Sequence, residues 1–161
     1  MNLNIYTDGS AMELSNKKVG GWSFVITKNN KVLVEKYGKL RSGKQDMNRA
    51  ELEALYQAIK YVERAYPKNK FTIYTDCEAL RDCVLGKAQR KANRDIWEQV
   101  EPIFRRKAGF FNIKPVRSHQ VNSDNIHEQY NNRADKLAKI GVNSLLVMPI
   151  DRGVMHDGKN L

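Results

Sequence analysis

LNIYTDGSA at residues 3–11 and FTIYTDCEA at residues 71–79 are near copies of one another. Each is a short apolar, β-rich run that stops on an aspartate, Asp8 in the first and Asp76 in the second. The first alternates, with Leu3, Ile5 and Thr7 on one side and Asn4, Tyr6 and Asp8 on the other. Driving a carboxylate to the tip of a buried strand is costly unless something meets its charge. In both copies the aspartate shares strand parity with the tyrosine two residues before it. Parallel neighbours lie about 4.8 Å apart and would present Asp8 and Asp76 on one face. Two carboxylates so placed can share a cation, and sit uncomfortably without one.

Working outward, GGWSFVITKNNKVLVEKYGKL (20–40) gives two β-rich runs about the turn KNNK, a hairpin. NRAELEALYQAIKYVERAY (48–66) has a helical apolar period and is stopped by Pro67. After the second aspartate, CEALRDCVL (77–85) reads as a short helix. NRDIWEQVEPIFRRKA (93–108) is a longer one, with a kink expected at Pro102 unless it opens a new turn. FFNIKPV (110–116) is a last strand, and NNRADKLAKIG (131–141) a last helix closed by Gly141. The order β-β-β-α-β-α-α-β-α describes one mixed α/β domain over residues 1–142. The hairpin supplies antiparallel pairing, and the helix before FTIYTD a parallel crossover. Residues 143–161 show no period and are expected to form a loosely ordered tail.

The 161 residues are 41% hydrophobic, enough for one packed core. The longest apolar patch, SLLVMPI at 144–150, is too short to span a bilayer, and no amphipathic stretch suggests a membrane surface. The N-terminus lacks a basic start and an apolar core segment, so a cytoplasmic protein is expected. Lys and Arg number 28 against 18 Asp and Glu, for a net charge of +10, which favours a polyanion such as nucleic acid. Cys77 and Cys83 lack zinc-site spacing and are expected as reduced thiols.

Two further acids fit beside the strand-end pair. The apolar stripe of the 48–66 helix is Leu52, Leu55, Ala58, Ile59 and Val62; Glu51 falls on its edge, whereas Glu53 points nearly opposite. A capping pattern, with Asn48 as N-cap and Glu51 at the third helical position, explains the same residues without a site. Asp135 flanks the stripe Ala134, Leu137, Ala138; a charge–dipole contact in a first helical turn is the competing explanation. Converging carboxylates without a cysteine cluster suit Mg²⁺ or Mn²⁺. Two such ions activate water and stabilise a leaving oxygen in phosphodiester cleavage, so the pattern points to a nuclease.

YTDGSA, NRAELEAL, YTDCEAL and NNRAD resemble, in order and spacing, the four acidic motifs of type 1 ribonuclease H, over about Leu3 to Gly141. The resemblance implies the ribonuclease H-like fold, a mixed five-stranded sheet with helices packed on it. It implies metal-dependent endonucleolytic cleavage of the RNA strand of RNA/DNA hybrids, leaving 5′-phosphate and 3′-hydroxyl ends. By resemblance Asp8, Glu51, Asp76 and Asp135 are the metal ligands, for Mg²⁺ with Mn²⁺ as substitute and two ions with substrate bound. His119 in VRSHQ matches the family's loop histidine, and His127 competes for that role. Gly9, Ser10, Asn48 and Arg49 match positions near the substrate backbone. A monomer is expected.

Three departures from the family stand out. GKAQRKAN (86–93) is short where many bacterial relatives carry a long basic protrusion, leaving Lys87, Arg90, Lys91 and Arg94 as a basic rim. Cys77 and Glu78 follow the third acid where Ser and a neutral polar residue are usual. Residues 120–134 separate His119 from Asp135, implying a longer and more mobile loop. A DNA nuclease of the same fold and a non-catalytic basic nucleic-acid-binding module are the alternative functions.

Overall fold

The computed structural model describes residues 2–144 and the backbone of 150–151. Its elements are β1 (Asn2–Leu14), β2 (Lys17–Lys28), β3 (Lys31–Lys39), α1 (Met47–Ala65), β4 (Lys70–Thr75), α2 (Glu78–Val84), α3 (Arg94–Arg106), β5 (Phe111–Pro115), α4 (Ile126–Val142) and β6 (Ile150–Asp151). The first nine follow the expected order. The sheet runs β5-β4-β1-β2-β3-β6, with β1, β4 and β5 parallel and β1, β2, β3 and β6 antiparallel to one another in turn. Five strands make the mixed sheet; β6 adds two residues at the β3 edge, against Lys36 and Tyr37. The remainder of the expected tail lies outside the described residues.

The two near-copies are neighbours in register: Leu3, Asn4, Ile5 and Tyr6 pair with Phe71, Thr72, Ile73 and Tyr74. The first strand does not stop on Asp8, however. β1 continues six residues further to Leu14 because β2 pairs with it from Asn4 to Leu14, Asp8 opposite Ser23. Only β4 stops, at Thr75. Asp8 therefore stands mid-strand, just past the point where β1 loses its parallel neighbour.

Both hairpins close through two-residue turns with positive φ, Ser15–Asn16 (51° and 65°) and Asn29–Asn30 (52° and 59°). That geometry matches the twist of antiparallel strands and suits asparagine. Alternation along the strands separates two cores. Leu3, Ile5, Trp22, Phe24 and Ile73 pack under α1 and α3, while Tyr6, Val25, Tyr37 and Tyr74 pack under Ala134 and Leu137 of α4. A side chain as enclosed as Ile5 contributes about 1.5–3 kcal/mol by its burial.

Helix starts depart from the sequence expectations. Asp46, not Asn48, caps α1, its side chain accepting from the Arg49 N–H at 2.8 Å. α3 runs through Pro102 as one helix. α4 begins at Ile126, capped by Asn125, and passes through Gly141 to Val142. Gly141 is a packing position: a Cβ there would lie 2.5 Å from the Gly38 carbonyl oxygen, so its absence lets α4 settle on the sheet.

Candidate active site

The site forms where β4 ends. Asp8 lies on β1, Asp76 follows β4, and Glu51 enters from α1. Carboxylate oxygens of these three lie within 4.8 Å of one another. Gly9 makes the approach of α1 possible, since a Cβ there would overlap the Glu51 nitrogen and lie 2.5 Å from the Ala50 carbonyl carbon. Its expected place beside the substrate is thus accompanied by a steric role in bringing Glu51 to Asp8.

The capping explanation for Glu51 does not hold. With Asp46 as the cap, Glu51 lies past the first turn and its carboxylate points into the protein, 4% exposed. Asp135 likewise lies well inside α4 rather than in its first turn, which removes the charge–dipole explanation. It is hydrogen-bonded to Asp8, and Lys139 pairs with it at 3.0 Å. The fourth acid therefore joins the group through Asp8, outside the tight set of three.

Electrostatics follow from this crowding. Burial, then the charges of Asp76 and Asp135, push the Asp8 carboxyl up to about 8. Burial and the charge of Asp8 hold Glu51 well above the usual carboxylate range. Glu51 Oε1 is buried and meets no hydrogen-bond donor among the described residues. An all-oxygen donor set, mutually repelling and with an orphaned buried oxygen, fits a hard divalent cation.

Asn131, one helical turn before Asp135, is fully buried and donates from Nδ2 to Asp76 Oδ2 at 3.1 Å. It ties α4 to the end of β4. The sequence reading did not single it out, although it opens the NNRAD motif.

The other expected site residues divide. Ser10 is buried on β1 opposite Gly21. Asn48 is exposed on the first turn of α1 and lines a cavity of about 130 Å³ with Cys77, Lys91 and Trp97. Arg49 is not free for a substrate: its guanidinium is buried and forks onto Asp95 at 2.6 and 2.9 Å, with Ser42 O at 3.0 Å. Of the basic rim, Arg90 and Arg94 are ion-paired with Glu101, while Lys87 and Lys91 are exposed. Cys77 and Cys83 are free thiols, and burial pushes both upward.

The histidines have different surroundings. His127 stacks on Tyr74 at 4.2 Å and is hydrogen-bonded through Nδ1 to Tyr6 Oη at 2.8 Å. Burial and Lys114 lower its pKa. His119 is exposed in the loop between β5 and α4, with φ at 55°. The long spacing to Asp135 is mostly helix, since α4 already starts at Ile126.

A search of curated proteins found no match. Among solved structures, the LC11 ribonuclease H1 in complex with an RNA/DNA hybrid is 20% identical with a TM-score of 0.68, covering 88% of this chain and 96% of that one. The protease–reverse transcriptase of prototype foamy virus is 22% identical with a TM-score of 0.74; the match covers 89% of this chain and 21% of that one. Ribonuclease H1 of the archaeon Halobacterium salinarum is 17% identical with a TM-score of 0.65, covering 89% and 98%. These likenesses establish the fold. The RNase H family description matches residues 1–143, which include all four acids, and the chain belongs to that family.

Proposed function

We propose that the protein is an endoribonuclease that hydrolyses the RNA strand of RNA/DNA hybrids, leaving 5′-phosphate and 3′-hydroxyl ends, as a monomer in the cytoplasm. The observation that carries the reading is the convergence of Asp8, Glu51 and Asp76 within 4.8 Å, with Asp135 bonded to Asp8, in a family member of net charge +10.

Asp8, Glu51, Asp76 and Asp135 would hold Mg²⁺, or Mn²⁺ in its place, with two ions when substrate is bound. Bound there, the ions supply the positive charge that promotes attack of water on the phosphodiester and departure of the 3′ oxygen. The chain's own groups prepare that state. Burial and mutual repulsion disfavour the ionised carboxyls of Asp8 and Glu51; a bound cation would offset both, leaving the two as acceptor-only ligands. Asn131 fixes the orientation of Asp76 by donating to one of its oxygens. Gly9, lacking a side chain, lets the α1 backbone lie against β1 and so brings Glu51 to Asp8.

His119, exposed in its loop, is suited to carry a proton at its imidazole or to assist product departure. His127, half-buried and held against Tyr6 and Tyr74, is not. Asn48 and the exposed Lys87 and Lys91 would contact backbone phosphates without reading sequence. The 2′-hydroxyl marks the RNA strand for selection.

The test uses an RNA/DNA hybrid labelled on each strand in turn, with Mg²⁺ and then Mn²⁺, against Asp8→Asn protein and EDTA. Loss of the RNA strand alone, abolished by the substitution, is the expected result. Cleavage of the DNA strand would instead indicate a DNA nuclease, and binding without cleavage a non-catalytic module.

A further inference from the structure

The loop between β5 and α4 is tied down along one stripe of α4. Glu128, in the first turn of α4, is 4% exposed. Its carboxylate accepts from Arg117 Nε at 2.8 Å through one oxygen and from Ser123 Oγ at 2.5 Å through the other. Arg117 and Ser123 are the two ends of the segment that carries His119, so one carboxylate closes a short loop at both ends. Arg117 holds that carboxylate below its ordinary range, with Ser123 adding to the effect.

Other bonds run the same way. Gln129 Nε2 donates to Ser123 O at 2.8 Å, and Asn132 Nδ2 to Gln120 O at 2.7 Å. Glu128, Asn132 and Asp135 are spaced i, i+4 and i+7, which places them along one side of the helix. Within the closed segment His119 and Asn122 have φ of 55° and 57°, the left-handed region that histidine and asparagine enter more readily than most side chains.

We propose that Glu128 is a positioning residue: by fastening both ends of the 117–123 loop to α4, it sets where His119 stands relative to Asp135. This rests on the ribonuclease H reading, in which His119 serves the reaction. As a surface ion pair the Arg117–Glu128 contact alone would stabilise little, since Arg117 is 73% exposed. Its consequence is placement, because both ends of the loop meet on one buried carboxylate.

The test compares Glu128→Gln, His119→Ala and the double variant on labelled hybrid, with Ser123→Ala as a milder release of the same clamp. Glu128→Gln is expected to lower kcat about tenfold with KM within about twofold, as displacement of a proton-transfer group does. Ser123→Ala should move kcat the same way by less. The double variant should be no slower than His119→Ala alone, because the two residues act through one group. Independently of activity, trypsin should cut after Arg117 several-fold faster in Glu128→Gln, mapped by mass spectrometry, with the melting temperature little changed. Multiplying losses in the double variant, an inert His119→Ala, or unchanged trypsin cleavage would each overturn the proposal. A wild-type protein that leaves hybrids intact would defeat the ribonuclease H reading itself, while the trypsin result would still decide whether Glu128 holds the loop.

Discussion

Glu51 and Glu53 stand two residues apart on α1, both buried, in opposite circumstances. Glu53 is 1% exposed and fully engaged: Arg41 forks onto it at 2.7 and 2.9 Å, and Gln57 donates at 2.9 Å. Among the described residues Glu51 has no cationic partner; its neighbours are Asp8, Asp76 and the Cys77 thiol, and one of its oxygens is orphaned. Burial of a charge is therefore not what marks a site. A buried acid that is matched by a guanidinium is structural, whereas one surrounded by other acids awaits a cation from outside.

The largest expected difference is in turnover. Glu51→Gln, like Asp8→Asn, should lower hybrid cleavage about a thousandfold, the scale of losing a preorganised charge-stabilising group. Glu53→Gln should stay within about threefold of wild type in the same assay. Equal losses would erase the distinction between the two glutamates.

Stability should reverse that order. Glu53→Gln weakens a charge-assisted fork and should cost about 1–3 kcal/mol in urea unfolding, moderated because Arg41 is 38% exposed and regains water. Glu51→Gln in EDTA should cost nothing or raise stability, since it removes a repelling group. A Glu51→Gln protein less stable than Glu53→Gln would contradict this.

The pH dependence sharpens the same point. The Asp8 pKa is about 8 in the folded chain against about 3.9 when unfolded, so between those values the folded state holds the extra proton. Its contribution is complete below about pH 4 and is lost as pH rises towards 8. The metal-free protein should therefore lose stability over that window, and Asp8→Asn should flatten the slope; an identical slope in both proteins would refute the assignment.

The smallest expected effect is a rise of about a few degrees in melting temperature with millimolar Mg²⁺ at constant ionic strength. Glu53→Gln should retain that rise and Glu51→Gln should lose most of it.

Legibility in the sequence followed distance along the chain. The echo of LNIYTDGSA in FTIYTDCEA placed Asp8 and Asp76 on one face, and the strands pair in that register. The continuation of β1 beyond Asp8 was not legible, because it depends on pairing with β2 rather than on β1's own pattern. Glu53 pointed away from the apolar stripe by helical period, yet Arg41 from the preceding loop covers it. Arg49 matched a substrate position by motif, and Asp95, 46 residues away, claims its guanidinium instead. The start of α4 was missed because NIHEQY carries little apolar period; Asn125 as its cap was the available signal.

By itself the sequence carried the order of the elements, the shared parity of the two aspartate strands and the four acids as candidates. Strand parity, helical period and repeated short motifs are local properties, written within a few residues. The tertiary structure alone decided which buried charges have partners, which arginine is already occupied and how the histidine loop is held. Those outcomes depend on distances between side chains far apart in the chain, and the energy of a charge is set by what surrounds it rather than by its neighbours in sequence.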